Sequence, residues 1–348
     1  MPKIDYDPRA RHNLRMNDVP TRKSHADHPA HPFRLKQANE AAPLALGCMN
    51  FGKRTAQPEA ARIVELALDH DITLLDTANA YGDGESERVL GRILKSLAPS
   101  LRDKARIATK VGFWRREGLS ADRVVASLDE SLDRLGVEQI ELYYLHVPDQ
   151  NIPIAATLEG IAAVLASGKA KAFGVSNYAS WQILEIIHIC DRMGIPRPAV
   201  SQQVYNLLIR QLDIEYLRFA RQFELHTTVY NPLAGGLLAG RPTTAETQPG
   251  TRFHKNGLYQ RRYLSDVFFD ATNAFTDLAR ECGLSILTLA YAWLAQRPGV
   301  DSILVGPGSA SHLKDAFNAL EVRLTPDTLT RVDQIHRALV GTDTTYAR

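Results

Sequence analysis

From Pro43 onward, short apolar runs alternate with stretches whose apolar residues recur at three- and four-residue intervals, the helical period. LALG (Leu44–Gly47) precedes PEAARIVELALDH, in which Ile63, Val64, Ala67 and Leu68 share one face and Pro58 suits a first helical turn. ITLLD (Ile72–Asp76), ARIATK (Ala105–Lys110), ELYYLH (Glu141–His146), AKAFGVSN (Ala170–Asn177) and AVSQQVYN (Ala199–Asn206) are each followed by an amphipathic stretch in the same way. LHTTVYNP (Leu225–Pro232) leads into a long loop and two helical patterns. DSILVGPG (Asp301–Gly308) precedes SHLKDAFNAL and a last helix near Thr325–Leu339.

The runs are short and often continuously apolar, as parallel strands covered on both faces must be. Eight such units, with no second-domain signature, predict an α/β protein: a (β/α)8 TIM barrel forming a single domain over residues 33–348. An open doubly wound sheet is the alternative. It is weakened because GDGESE and GPGSAS both lack the third glycine of a dinucleotide-binding turn. Residues 1–32 are rich in Pro, His, Arg and Asp and show no apolar period. They are expected to form a flexible N-terminal extension, the alternative being an arm that packs on a neighbouring subunit.

Composition narrows the functional classes. Of 348 residues, 45% are apolar, enough for a large core, and the net charge of +2 gives no reason to expect nucleic acid or a membrane surface as partner. Cys48, Cys190 and Cys282 are scattered and form no Cys-x-x-Cys pair, which fits a reduced cytoplasmic protein better than a disulfide scaffold or a zinc site. The longest apolar run, Ile286–Ala295, is too short to span a bilayer, and the first residues lack the apolar middle of a signal peptide.

In barrels of this kind the working groups lie at the carboxyl ends of the strands. Asp76 ends the second run and Tyr81 follows in its loop. Lys110 ends the third, His146 the fourth, Asn177 the fifth and Tyr230 the seventh, with Gln203 near the end of the sixth. Singly, each has an ordinary structural reading. Together, three consecutive apolar runs ending in ionisable residues gain nothing from packing, since buried charge is costly unless paired. A phenol is a weak acid with a pKa of about 10, and a neighbouring ammonium favours its ionised form. A carboxylate would hold the ammonium, and an imidazole would orient a carbonyl oxygen or help relay its proton. Tyr81 then reads as a general acid toward a developing alkoxide, with Lys110, Asp76 and His146 in support. No serine elbow, metal-type His or Cys spacing, or Walker lysine is present.

Carbonyl reduction needs a hydride, which no side chain supplies, so a cofactor is implied. Ser176, Asn177 and Gln203 offer groups that could bond a carboxamide, and Tyr230 an aromatic face for a nicotinamide. The glycine-rich NPLAGGLLAGR loop (Asn231, Pro232, Leu233, Gly235, Gly236, Leu238, Gly240, Arg241) could cover a pyrophosphate. VGPGS, with Gly306, Gly308 and Ser309, precedes a helix whose free amides could bind phosphate.

DTANAYGDGESE, IATKVGFW, LDRLGVEQIELYYLHVPD, GKAKAFGVSNYASW, QVYN and YNPLAGGLLAG together resemble the aldo-keto reductase superfamily, in order from Pro43 to the C-terminus. YLHVPDQ, SNYASW and YNPLAGGLLAG look most like its aflatoxin-aldehyde and succinic-semialdehyde reductase branch. The resemblance implies reduction of a small carbonyl substrate with NADPH, and a tetrad of Asp76, Tyr81, Lys110 and His146 with Tyr81 as proton donor. It implies that Ser176, Asn177 and Gln203 hold the carboxamide and that Tyr230 stacks on the nicotinamide. It places the pyrophosphate and adenosine phosphate along Asn231–Arg241 and Gly306–Lys314. Met49 and Trp114 are expected to line the substrate pocket, and Arg348, in the terminal Tyr-x-Arg, to meet acidic substrates. His312 and Ala316 depart from the family pattern where the 2′-phosphate and adenine are held, so Lys314, Arg241 or Arg252 is expected to supply the cation, with NADH the less favoured cofactor. A homodimer is compatible with this reading. The rivals are a cofactor-binding regulatory barrel resembling potassium-channel β subunits and a phosphate-binding barrel isomerase.

Overall fold

The computed structural model describes residues 33–37, 40–113, 117–240, 253–254 and 256–341. Its strands are β1 (Leu44–Gly47), β2 (Leu74–Asp76), β3 (Arg106–Val111), β4 (Ile140–Leu145), β5 (Ala170–Ser176), β6 (Val200–Val204), β7 (His226–Tyr230) and β8 (Ser302–Val305). Each is parallel to the next, and β8 pairs with β1 through Leu44↔Ile303, so the sheet closes into a barrel. Closure removes the open-sheet alternative.

The outer layer contains α1 (Gln57–Asp69), α2 (Glu85–Ser96), α3 (Pro99–Arg102), α4 (Ala121–Leu135), α5 (Ile154–Ala166), α6 (Ser180–Met193), α7 (Tyr216–Gln222), α8 (Gly257–Tyr263), α9 (Asp266–Glu281), α10 (Ile286–Gln296), α11 (Ala310–Leu320) and α12 (Pro326–Val340). Among the described residues, three α-helices follow β7 before β8, where two periodic stretches are visible in the sequence. The additional one, α8, is a seven-residue segment, too short for its period to stand out. α4 shows how the others form. The Ser120 hydroxyl accepts from the Arg123 amide at its start, and Gly136 closes its end in the left-handed conformation. Val124, Leu128, Leu132 and Leu135 lie buried on one stripe, each worth about 1.5–3 kcal/mol of burial. Among the described residues, no helix is long and apolar enough to cross a membrane.

Strand side chains alternate between the barrel interior and the helix layer, and this decides which residues reach the mouth. On β3, Ala108 packs in the interior cluster with Leu142, Tyr144 and Val200, whereas the Thr109 hydroxyl turns outward to Glu87 on α2. On β4, the Tyr143 hydroxyl donates outward to the Val124 carbonyl at 3.0 Å. Gly174 makes room for Tyr144: a Cβ there would lie 2.8 Å from the tyrosine ring and 2.8 Å from the Val200 carbonyl. The opposite end of the barrel is closed by the segment before β1. Phe33 meets His226 edge-on at 5.7 Å, and the Lys36 amide donates to Asp301 at 2.7 Å.

Candidate active site

Asp76 and Lys110, 1% and 0% exposed, meet inside the barrel mouth. The Lys110 ammonium donates to Asp76 Oδ1 and, at 2.8 Å, to the Thr77 carbonyl. Asp76 Oδ2 accepts from Gln202 Nε2 at 2.9 Å, so both carboxylate oxygens are engaged. Burial pulls the Lys110 pKa below the ordinary lysine value, and the Asp76 charge opposes that pull.

Tyr81 leans over this pair from the loop after β2. The Lys110 nitrogen lies 5.2 Å from the centre of the Tyr81 ring and 5.4 Å from that of Tyr144. The Tyr81 ring stands edge-on to His146, with centroids 5.7 Å apart at 84°. His146 continues the inward alternation of Leu142 and Tyr144 one residue past β4. Burial, and then the Lys110 charge, push its pKa well below 6.5, so the imidazole is neutral near pH 7. Its Nδ1 is buried and has no hydrogen-bond partner among the described residues. Phe113, 52% exposed, tilts against the same imidazole at 5.1 Å.

The other half of the mouth is built mainly from amides and hydroxyls. Asn177 Nδ2 donates to the His146 carbonyl at 2.9 Å and to Ser176 Oγ at 3.0 Å, and Asn177 Oδ1 accepts from the Tyr230 hydroxyl at 2.7 Å. The Arg262 guanidinium lies beside that same tyrosine. Asn177, Asn231 and Ala234 hold positive φ of 65°, 60° and 48° at the carboxyl ends of β5 and β7, a strained backbone of the kind that gathers at functional sites. The loop after β7 is folded rather than open. Ala234–Ala239 forms 3-10 turns with Leu237 and Leu238 buried, Asn231 and Pro232 are buried beside them, and Tyr259 of α8 donates to Asn231 Oδ1 at 3.1 Å.

The expectation for Gln203 is corrected. Gln203 pairs with Val229 on the outward face, and its Nε2 donates to the Tyr178 carbonyl and Ser201 Oγ at 2.8 and 3.0 Å. Gln202 instead faces inward, beside Asp76 and level with Ser176, its register partner on β5. The side-chain period is two, so an offset of one residue moves a side chain to the other face. Counting alternate residues back from Tyr230 through the β6–β7 pairing selects Gln202. Neighbouring glutamines hid that choice until the register was known.

Gly306, Gly308 and Ser309 lie between β8 and α11, held to the β1–α1 turn by Asn50 Nδ2, which donates to the Gly306 and Pro307 carbonyls at 3.2 and 3.3 Å. Two amides at the start of α11 already have partners. Ala310 N donates to Glu59 at 2.8 Å, and His312 N to Ser309 Oγ at 3.4 Å; the Gly308 amide is 3.3 Å from His312 Nδ1. Fewer free amides therefore face a phosphate than the strand–glycine–helix pattern suggests. Met49 is half-buried in the β1–α1 turn, beside Asn50. Trp114, Arg241, Arg252 and Arg348 lie outside the described residues, as does the extension over 1–32. Phe113, Arg262 and Gln202 are the residues at the mouth that motif reading passed over.

Ser176 can donate its hydroxyl proton while accepting from Asn177. Gln202, its amide nitrogen committed to Asp76, has only Oε1 left as an acceptor, with the Tyr144 hydroxyl beside the same side chain. A primary carboxamide needs that complementary pair, so these residues fit a nicotinamide. The chain matches the model of the Aldo/keto reductase family over residues 43–337. It is 35% identical over 292 residues to human aflatoxin B1 aldehyde reductase member 2, covering 79% of this chain and 81% of that protein. It is 32% identical to human aflatoxin B1 aldehyde reductase member 4 (82% and 91% covered) and 29% identical to a probable voltage-gated potassium channel subunit beta of Arabidopsis thaliana (86% and 94%). With a closed barrel, an inward ionisable quartet at one mouth and these matches along most of its length, the chain belongs to the aldo/keto reductase family and is an oxidoreductase acting on small carbonyl compounds.

Proposed function

We propose that the protein reduces aldehydes or ketones to alcohols with NADPH, and that Tyr81 is the proton donor. The observation carrying this reading is the stack of Asp76, Lys110 and Tyr81 beside a neutral His146. When bound, a reduced nicotinamide supplies the hydride. The Tyr81 hydroxyl gives its proton to the carbonyl oxygen as negative charge develops there. Lys110 then sits beside the phenolate left behind, and Asp76 and Gln202 keep Lys110 from moving to meet it. His146, uncharged, hydrogen-bonds the carbonyl oxygen without competing as an acid. Ser176 and Gln202, in place of Gln203, hold the carboxamide. Asn177 and Tyr230 brace each other at its edge.

Phe113 and Trp114 are the proposed substrate walls, with Met49 across the mouth and Arg348 reserved for acidic substrates. The three free cysteines fit a reducing compartment such as the cytoplasm. A panel of aldehydes, ketones and dicarbonyls assayed with NADPH and NADH at equal concentration tests the proposal. Carbonyl-dependent oxidation of NADPH is the expected result. Preference for NADH would overturn the cofactor assignment, and no oxidation of either would overturn the activity.

A further inference from the structure

We propose that Glu117 is a positioning residue whose carboxylate ties the loops carrying Tyr81, Lys110 and Phe113 to α4 and so sets the spacing of the reacting groups. This role presupposes carbonyl reduction at Tyr81. Glu117 belongs to the loop between β3 and α4, and its side chain is only 7% exposed. Oε1 accepts from Asn79 Nδ2 at 2.8 Å and from the Gly112 amide at 2.9 Å. Oε2 accepts from Arg123 Nε at 2.9 Å. One buried anion therefore collects donors from the loop after β2, the end of β3 and the first turn of α4.

Each donor sits close to the chemistry. Asn79 is two residues before Tyr81 and fully buried. Its amide group also donates to Ser127 Oγ on α4 at 3.0 Å, and its backbone N–H meets the Lys110 carbonyl at 3.4 Å. Gly112 is two residues after Lys110 and directly precedes Phe113, the ring against His146. Its φ of 100° and the Leu119 side chain, 2.6 Å from where a Cβ would stand, restrict this position to glycine. Arg123 is itself fixed from behind, with both terminal nitrogens on Glu130 at 2.8 Å. Burying a carboxylate is costly unless it is fully bonded. Here its bonds are spent on two loops whose relative placement sets the distances between Tyr81, Lys110 and His146. A misplacement of about 1 Å between reacting atoms costs about a hundredfold in rate.

The test compares steady-state kinetics, cofactor titration and melting for the full chain and three variants. Glu117→Ala is expected to lower kcat by about 10–100-fold. NADPH affinity should stay within about twofold, because the carboxamide groups stand on β5 and β6, away from this knot. Glu117→Gln, which keeps an acceptor for Asn79 and Gly112, should recover kcat to within about threefold of wild type. Asn79→Ala, which leaves the Glu117–Arg123 pair in place, should reproduce the loss in kcat and serves if Glu117→Ala does not fold. A lower melting temperature with kcat unchanged in the alanine variants would reduce Glu117 to a stabilising ion pair and overturn the role. Wild-type protein inactive on every carbonyl would remove the reductase reading and this role together.

Discussion

The two halves of the barrel mouth are built on opposite principles. Along β2–β4 the polar groups are ionisable, buried and spent on one another: Lys110 on Asp76, Glu87 on Thr109 and Arg134, Glu117 on Asn79 and Arg123. Along β5–β8 they are mainly amides, hydroxyls and left-handed backbone turns, with Ser176 bonded to Asn177, Asn177 to Tyr230, and the Arg262 guanidinium beside that tyrosine. The first half is largely preorganised by these bonds, as groups that stabilise a transition state should be. On the proposed reading, chemistry and cofactor recognition are separated around one rim, and single substitutions should separate them experimentally.

The largest effect should come from Tyr81→Phe. Removing the proposed proton donor should cost about 10²–10⁴ in kcat while NADPH binding, read by fluorescence titration, stays within about twofold. Weakened binding of that size would mean that the two halves are not separable. Lys110→Met comes next. It leaves Asp76 buried without its cation and should destabilise the fold by about 3–5 kcal/mol in denaturant unfolding, besides suppressing turnover. Adding Asp76→Asn should recover much of that stability but not the activity. On the other side, Gln202→Leu should weaken NADPH binding about tenfold, the worth of one buried hydrogen bond, whereas Gln203→Leu should leave it unchanged. A larger loss at Gln203 than at Gln202 would return the role to Gln203.

The smallest effect concerns pH. Because the folded pKa of His146 lies well below 6.5, the unfolded chain binds a proton there that the native state does not as pH falls below 6.5. His146 thus withdraws stability on acidification, by up to about 1.4 kcal/mol per pH unit. Denaturant melts at about pH 7.5 and about pH 5.5 should show His146→Gln losing less stability than wild type between the two. A parallel loss in both proteins would mean that the imidazole is not buried in its neutral form.

The architecture was legible because it rests on local repetition. ITLLD, ARIATK and ELYYLH are apolar enough to be buried strands, and Ile63, Val64, Ala67 and Leu68 mark a helical face, with no knowledge of what they pack against. Asp76, Lys110 and His146 stood out for the same reason, as ionisable residues closing apolar runs. α8 did not, because seven residues carry too little period, and its contact with Asn231 runs through one phenol.

What the sequence alone determined is the alternation of elements and the residue types at the strand ends, since both are encoded by near neighbours. Which of Gln202 and Gln203 enters the barrel, which aromatic ring lies on His146, and what Glu117 binds were decided only when eight strands closed. Strand register and the meeting of distant loops are properties of the packed whole, and a shift of one residue in pairing exchanges inside for outside.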